Sequence, residues 1–493
     1  MSSPSSEVHD VQQFERVLLP PAAKKAIVAL LGPGGYLDRP EDLKLYEYDG
    51  SVDKATPELV AFPKSTEEVA AIVKITAEHG VPVVGRGAGT GLSGGAIPRA
   101  GGVTIGFSRM NRILEIDIEN ERAVLQPGVV NLDITLAVQG LGYFYAPDPS
   151  SQRACTIGGN VAENSGGPHT LAYGVTTNHV LGLEFVLPDG TIHTTGSKEQ
   201  DLPGYDLTGL LTGSEGTMAL VTKIIVRLMR HPEKVKTILA VYNSDSDAAD
   251  TVAEITACAI TPVAVEMLDG EMLRMVEVAT KAGYPMDAAA VLLIELEGLV
   301  EAVEEQTEQI REACERCNAR EFRVAKTAEE RDLLWKGRKN AFGAVGRVST
   351  SYYVQDGVVP RTQIAPTLRY IAETAKKHEV RISNIFHAGD GNMHPIILFN
   401  SHVPGELDRA RAAGEDILAY CIAAGGSITG EHGVGMEKNE MMDRQFSPAS
   451  LEYIGKFKTL FDAKGRLNPG KVLPTGRGCL EIRQSPLTSR NTV

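Results

Sequence analysis

Val83-Val84-Gly85-Arg86-Gly87-Ala88-Gly89-Thr90-Gly91-Leu92-Ser93-Gly94-Gly95 is the stretch on which the reading of this chain turns. A short apolar strand runs directly into six glycines among eleven residues, with hydroxyls at Thr90 and Ser93. Glycine permits positive φ and lets backbone N–H groups come close to a ligand. Successive N–H groups in such a turn form a concavity for anions, so phosphate or pyrophosphate is the natural guest. Gly89-Thr90-Gly91-Leu92-Ser93-Gly94 satisfies G-x-G-x-x-G, and Glu115 and Asp117 follow at the spacing of a ribose contact. A dinucleotide fingerprint of that kind must open a helix, whose N-terminus holds the pyrophosphate. Gly95-Ala96-Ile97-Pro98-Arg99-Ala100-Gly101-Gly102 cannot supply a first helical turn, and no Gly-Lys-Ser/Thr follows. The expectation is a phosphate cradle built from loop alone.

The flanking sequence reads as a β-α-β unit that delivers this loop. Leu59–Phe62 is a strand, Ser65-Thr66-Glu67-Glu68 spells a capping box, Val69–His79 continues as a helix stopped by Gly80, and Val81–Gly85 is the next strand. Upstream, residues 1–20 look like a loose leader before a short helix, Ala22–Leu31. Downstream come strands at Gly102–Phe107, Ile113–Asp117 and Arg122–Gln126, then a helix at Leu132–Gln139. Ala146-Pro147-Asp148-Pro149-Ser150-Ser151 and Cys155–Gly167 read as further loops, able to wrap a long ligand from a second side. Val180–Leu187 and Thr191–Thr195 form a hairpin around Asp189-Gly190. Leu211–Thr217 is a third glycine-rich loop.

From about residue 232 strands and helices alternate as an α+β module, an antiparallel sheet backed by helices. The segment Glu329–Phe342 reads as a helix carrying Trp335 and Arg338, and Ile382–His387 as a strand.

Composition narrows the function. A chain of 493 residues should hold about two or three domains. A formal charge of −14 argues against nucleic acid and against an electrostatic grip on anionic lipid. No apolar run reaches the length of a membrane span, and Met1-Ser2-Ser3-Pro4 does not begin a signal peptide. Six scattered cysteines indicate a reducing compartment. Cys314 and Cys317 have no second pair nearby and read as helix thiols rather than ligands.

Two clusters carry chemistry. His387-Ala388-Gly389-Asp390-Gly391-Asn392-Met393-His394 places imidazoles at the end of one strand and the start of the next. Gly430-Glu431-His432-Gly433 adds a carboxylate and a third imidazole between small residues. Two His and one Glu form a set that catalytic zinc accepts with a position left open. His432, beside that Glu, is then free to act as a base, and Arg338 could clamp a carboxylate. The alternatives are turn histidines bonded to carbonyls and a surface arginine.

These motifs occur in a fixed order: the glycine loop, Pro147-Asp148-Pro149, Gly158-Gly159-Asn160, Gly213-Ser214-Glu215-Gly216, the His387/His394 hairpin, Gly430–Gly433 and Asn468-Pro469-Gly470-Lys471. Together they resemble FAD-linked 2-hydroxy-acid dehydrogenases of the vanillyl-alcohol-oxidase superfamily, nearest the D-type glycolate oxidase subunits and the D-lactate dehydrogenases. The resemblance spans about residues 20 to 475. It implies an α+β fold with a two-lobed FAD-binding domain, an α+β cap with an antiparallel sheet, and a C-terminal segment returning to the flavin. The corresponding divisions are a leader with helices over 1–54, the FAD domain over 55–231, the cap over 232–425 and the returning segment over 426–493.

Carried over residue by residue, the resemblance places pyrophosphate on Arg86, Gly87, Ala88, Gly89, Thr90, Gly91, Ser93 and Gly94. Pro147, Ser151, Thr156, Gly158, Gly159 and Ala162 would line the flavin, and Asn468 would approach its ring. His387, His394 and Glu431 would bind a divalent metal, zinc first, with manganese or iron as alternatives. His432 would take the hydroxyl proton while a hydride leaves the α-carbon for flavin N5, and Arg338 would hold the substrate carboxylate. The product would be a 2-oxo acid such as glyoxylate or pyruvate.

Relatives acting on 2-hydroxyglutarate carry a lysine after the Arg helix, where this chain has Ser351-Tyr352-Tyr353-Val354-Gln355-Asp356. A small monocarboxylate, glycolate or D-lactate, is therefore expected ahead of a 2-hydroxyglutarate-like substrate. No histidine in the glycine loop suggests covalent flavin attachment. The resemblance further implies an acceptor other than oxygen or NAD, reached through FAD-binding and iron–sulfur partner subunits towards quinone. It implies a cytoplasmic protein, at most peripheral to the inner face of the membrane, with self-association open. A metal-dependent hydrolase would use the same His/Glu set but leave the glycine loops unexplained.

Overall fold

The structure is a computed structural model of the chain, described over residues 15–198 and 203–475. Most of the expected leader lies outside the described residues.

The glycine loop leaves a four-stranded sheet. Strands Leu59–Ala61 and Val83–Arg86 both run parallel to Val103–Gly106, which lies between them, and Tyr36–Leu37 closes one edge. The crossover helix Thr66–Glu78 starts as its sequence dictates, with the Ser65 hydroxyl accepting from the Glu68 N–H. The reciprocal half of the capping box is absent, because the Glu68 carboxylate accepts from the Lys64 N–H at 2.7 Å instead. After Arg86 the chain stays irregular to residue 102, the helix-free cradle expected from the glycines and Pro98.

The second lobe is a five-stranded antiparallel sheet in the order Ile113–Asp117, Arg122–Leu125, Leu220–Arg227, Val180–Val186 and Ile192–Gly196. One segment departs from its sequence reading. Ile157–Glu163 is a two-turn helix rather than loop, N-capped by Thr156 and ended by Asn164 at φ 56°. Ile157 and Val161 are fully buried in the lobe core, and that burial outweighs the low helix propensity of Gly158 and Gly159. Gly158 also permits close packing: a Cβ there would lie 2.6 Å from Pro127.

The cap is a nine-stranded sheet, antiparallel wherever its strands pair. Ala290–Gly298 is buried over its first seven residues, the signature of a strand covered on both faces. One face packs against Asp245–Ala257, Val300–Arg316, Ile364–Lys377 and Glu406–Ala423. The other packs against Gly270–Thr280, Ala328–Lys339 and Ala341–Val345. Cys314 lies in the first of these cores and is fully buried, and no metal-ligating group among the described residues includes it.

The chain then returns to its beginning. Leu467 bridges Val83, and the Asn468 N–H donates to the Val83 carbonyl at 2.8 Å. No helix among the described residues is long and apolar enough to cross a membrane.

Candidate active site

Strand register creates the first pair of functional side chains. Ala264–Asp269 pairs antiparallel with Arg381–His387 so that Glu266 lies opposite His387. His387 Nδ1 sits 2.7 Å from Glu266 Oε1, and Arg338 Nε donates to Glu266 Oε2 at 2.6 Å. All three side chains are buried, so each ion pair stands in low dielectric. Arg338 is thus an interior residue, not the surface arginine its charged helix would suggest.

The hairpin after His387 turns through Ala388–Gly391 and brings His394 beside it, ring centroids 5.1 Å apart and perpendicular. His394 Nδ1 faces the Gln355 carbonyl at 3.3 Å, which fixes that nitrogen as the donor. Its Nε2 lone pair then points at Glu431 Oε1, 3.2 Å away and without hydrogen-bond geometry. His387 Nε2 lies at the same 3.2 Å from the same oxygen. Two acceptors facing each other in a dry interior are satisfied by a cation between them. His387 has a carboxylate and His394 a carbonyl on the opposite ring nitrogen, the outer shell that orients metal-bound imidazoles. The ligand atoms of His387, His394 and Glu431 all lie within 4.8 Å of one another. The residues fit a divalent metal.

Asp356 shapes the loop that presents Glu431 and His432. Its buried carboxylate accepts from the N–H groups of Gly430 at 3.1 Å and His432 at 2.9 Å, and from Lys438 Nζ at 3.2 Å. Burial opposes its ionisation, but His432, Lys438 and His394 hold the carboxyl well below the usual range. The His432 ring stacks on His394 at 4.8 Å, with Nε2 3.6 Å from Glu431 Oε1 and Nδ1 buried without a hydrogen bond, 4.0 Å from Asp356 Oδ2.

This loop continues onto the glycine cradle. Ser93 Oγ donates to the Gly433 carbonyl at 3.0 Å, and the Met436 N–H donates to the Ser93 carbonyl at 2.9 Å. Gly435 has φ +56°, and a Cβ there would stand 1.8 Å from the Ser93 oxygen, so only glycine allows the contact.

One cavity of about 370 Å³ joins the two regions. Arg86–Leu92 and Gly95 form one wall, with Ser151, Thr156, Gly158, Gly159 and Ala162 opposite, and Arg338, His394, Glu431 and His432 lie at the cap side. His387 stands behind His394 and Glu431. Arg86 Nη1 is buried and unpartnered beneath the glycines, a cation held ready for an anionic ligand. Such a long, glycine-walled space fits FAD.

Four expected residues stand back from this space. Ser93, Gly94, Pro147 and Asn468 do not line the cavity. Pro147 accepts from Asn131, whereas Asn468 Nδ2 donates to the carbonyls of Gly95 and Glu215 at 2.8 and 2.7 Å. Glu266 and Asp356 were missed at the sequence level. Glu266 had a visible signal, a lone carboxylate inside the apolar run Val263–Leu268.

A further group, His169, Glu295 and Glu297, is close enough to hold a cation but is closed by protein donors. Arg331 and Trp335 donate to Glu295 at 2.6–3.0 Å, and His169 bridges it at 3.2 Å to Asp148 at 3.0 Å. Burial lowers the His169 pKa, but Asp148 and Glu295 raise it to about 10 from an ordinary 6.5. Its stabilising contribution is therefore complete below the ordinary value and lost as pH rises through about 10. His169→Gln should remove that loss in denaturant titrations across the same window. An unchanged pH profile would refute the ion pair.

Comparison with known proteins agrees with this geometry. Residues 57–196 match the model of the FAD binding domain, and residues 231–472 match that of the FAD linked oxidases, C-terminal domain. The chain is 45% identical to the glycolate oxidase subunit GlcD of Escherichia coli over 443 residues, covering 90% of this chain and 89% of that one. It is 34% identical to a D-lactate dehydrogenase of Anaerostipes hadrus over 428 residues, 85% of this chain and 90% of the other. The solved structure of p-cresol methylhydroxylase shares the fold, with a TM-score of 0.78 at 19% identity over 92% of this chain and 96% of that one. The chain belongs to the FAD-linked oxidases and is an FAD-dependent 2-hydroxy-acid dehydrogenase, in the branch that holds GlcD and the D-lactate dehydrogenases.

Proposed function

We propose that this chain oxidises a small 2-hydroxy monocarboxylate, glycolate or D-lactate, with a divalent cation held by His387, His394 and Glu431. The carrying observation is the shared approach of both imidazole Nε2 atoms to Glu431 Oε1 at 3.2 Å, beside His432 and Arg338. Bound FAD supplies a two-electron acceptor, and the cation supplies positive charge at the substrate hydroxyl oxygen. His432 takes the hydroxyl proton as general base. Arg338 binds the carboxylate and fixes which face of the α-carbon meets the cavity. The glycine walls and the cap exclude water from the reacting atoms.

The cap wall argues for a short substrate. Phe342, Tyr352 and Ile385 line it, and Lys339, the cation next to Arg338, lies 3.5 Å from Asp148 Oδ2. A second substrate carboxylate would have to compete with Asp148 for that lysine. Arg347 and Arg361 do not line the cavity. The relatives named as glycolate oxidase subunits support one further part of the reading, that electrons leave through partner subunits; the resemblance adds an iron–sulfur protein and quinone as the route beyond them.

The decisive experiment is anaerobic bleaching of the flavin absorbance by glycolate, D-lactate, L-lactate and D-2-hydroxyglutarate, before and after chelation. Bleaching by glycolate or D-lactate that a chelator abolishes and zinc or manganese restores is expected. Bleaching that survives chelation would reduce the His/Glu set to hydrogen bonding. Preference for the dicarboxylate would overturn the substrate assignment.

A further inference from the structure

Glu163 ends the Ile157–Glu163 helix and lines the cavity, yet no step above uses it. It occupies a slot between two glycine backbones from distant parts of the chain. A Cβ on Gly95 would lie 2.5 Å from its Oε1, and one on Gly433 would lie 2.2 Å from its Oε2. The carboxyl is thus wedged between the phosphate cradle and the loop of Glu431, and larger residues at either glycine would expel it. Such a slot is specific.

Its neighbour decides its charge. Glu215 also touches the Gly433 position, its Oε1 2.9 Å from the same hypothetical Cβ, so the two carboxyls are adjacent. Glu215 is provided for as an anion: it accepts from the N–H groups of Val434 and Gly435, both at 2.7 Å. Glu163 Oε2 is buried and has no hydrogen-bond partner at all. Two adjacent buried carboxyls do not both ionise, and the one without donors keeps the proton. Lys438 and Lys471 favour ionisation of both groups, and Asp49 opposes it in Glu163. Burial raises both carboxyls, but the Val434 and Gly435 N–H groups pull Glu215 back, whereas Glu215 and Asp49 push Glu163 well above the usual range. Lys438 is already engaged by Asp356 and the Gly433 carbonyl, and Lys471 by the Ile97 carbonyl.

We propose that Glu163 is a neutral carboxylic acid on the cavity wall that donates a hydrogen bond to an acceptor on the bound flavin and so raises the flavin's affinity for electrons. The inference rests on FAD filling the cavity. Reduction adds electron density to the flavin ring, and a neutral donor in a dry site stabilises that density more than it stabilises the oxidised ring. A carboxylate in the same slot would do the reverse. Ionised Glu215 is kept from the task because its oxygens are committed to backbone N–H groups. Glu163 therefore touches the cofactor and tunes it, distinct from the groups that touch substrate.

The test compares FAD-loaded wild type, Glu163→Gln and Glu163→Ala by anaerobic redox titration against a reference dye. Gln keeps a neutral donor and should hold the midpoint. Ala removes it and should weaken two-electron reduction about tenfold, a fall of about 30 mV. A second readout needs no turnover: the infrared spectrum of the wild type should contain a protonated carboxyl C=O band that shifts when FAD binds and is missing in Glu163→Gln. An unchanged midpoint in Glu163→Ala, a fall of equal size in both variants, or no such band would overturn the proposal. A protein that takes up no FAD would instead defeat the reading of the cavity itself.

Discussion

Replacing His432 with Asn should lower the rate of flavin reduction by about 10²–10⁴-fold while FAD and metal remain bound, the span expected for a lost general base. Two constraints hold this imidazole without using up its chemistry. Its backbone N–H is tied to Asp356 at 2.9 Å and its ring stacks on His394 at an interplanar angle of 9°, while its Nδ1 makes no hydrogen bond and faces Asp356 Oδ2 at 4.0 Å. Asn fits the space and leaves the Asp356 contact in place, because that contact is made by the backbone. The measurement is stopped-flow absorbance of the reductive half-reaction, with bound FAD and metal quantified in the same samples. A variant that reduces flavin at the wild-type rate would remove His432 from the reaction.

Arg338→Leu should cost stability and substrate binding together. The guanidinium donates to Glu266 with both side chains almost wholly buried, at 2% and 0% exposure. Removing the arginine leaves the Glu266 carboxylate in low dielectric with only the His387 ring beside it, a loss towards the lower end of about 3–5 kcal/mol. Substrate affinity should fall as well, because the leucine cannot bind a carboxylate. The two effects separate in the double variant Glu266→Gln, Arg338→Leu. Removing both charges should recover most of the stability, while KM stays high. Thermal unfolding and steady-state kinetics of the single and double variants measure the two terms. Recovery of KM in the double variant would show that Arg338 acts only through Glu266.

Much of this molecule could be read from local pattern. The glycines after Val83-Val84, the His387/His394 spacing and Gly430-Glu431-His432-Gly433 are each visible over a few residues, and the fold brings most of them to the rim of one cavity. The crossover helix and the hairpin at Asp189-Gly190 were equally legible, because capping and turn preferences act within a few residues. What the chain concealed depends on partners far away in sequence. Glu266 becomes important only because strand register sets it opposite His387, and Asp356 only because it meets four successive residues of a loop more than seventy positions later. The Ile157–Glu163 helix misled for a related reason. Gly158 and Gly159 lower its propensity locally, but Ile157 and Val161 secure it by burial in a core assembled elsewhere.

The clasp made by Asn468 also constrains the order in which the protein can be assembled. The strand Val83–Arg86 emerges early in synthesis, but its bridge to Leu467 and the ties from Asn468 to Val83, Gly95 and Glu215 cannot form until nearly the whole described chain has been made. Contacts this distant in sequence carry a large loop-closure cost and form late. The nascent N-terminal lobe must therefore persist with its nucleotide cradle unpinned while the cap is translated. Cofactor capture is then coupled to completion of the chain, and FAD supply during expression should govern the yield of native protein as well as its colour.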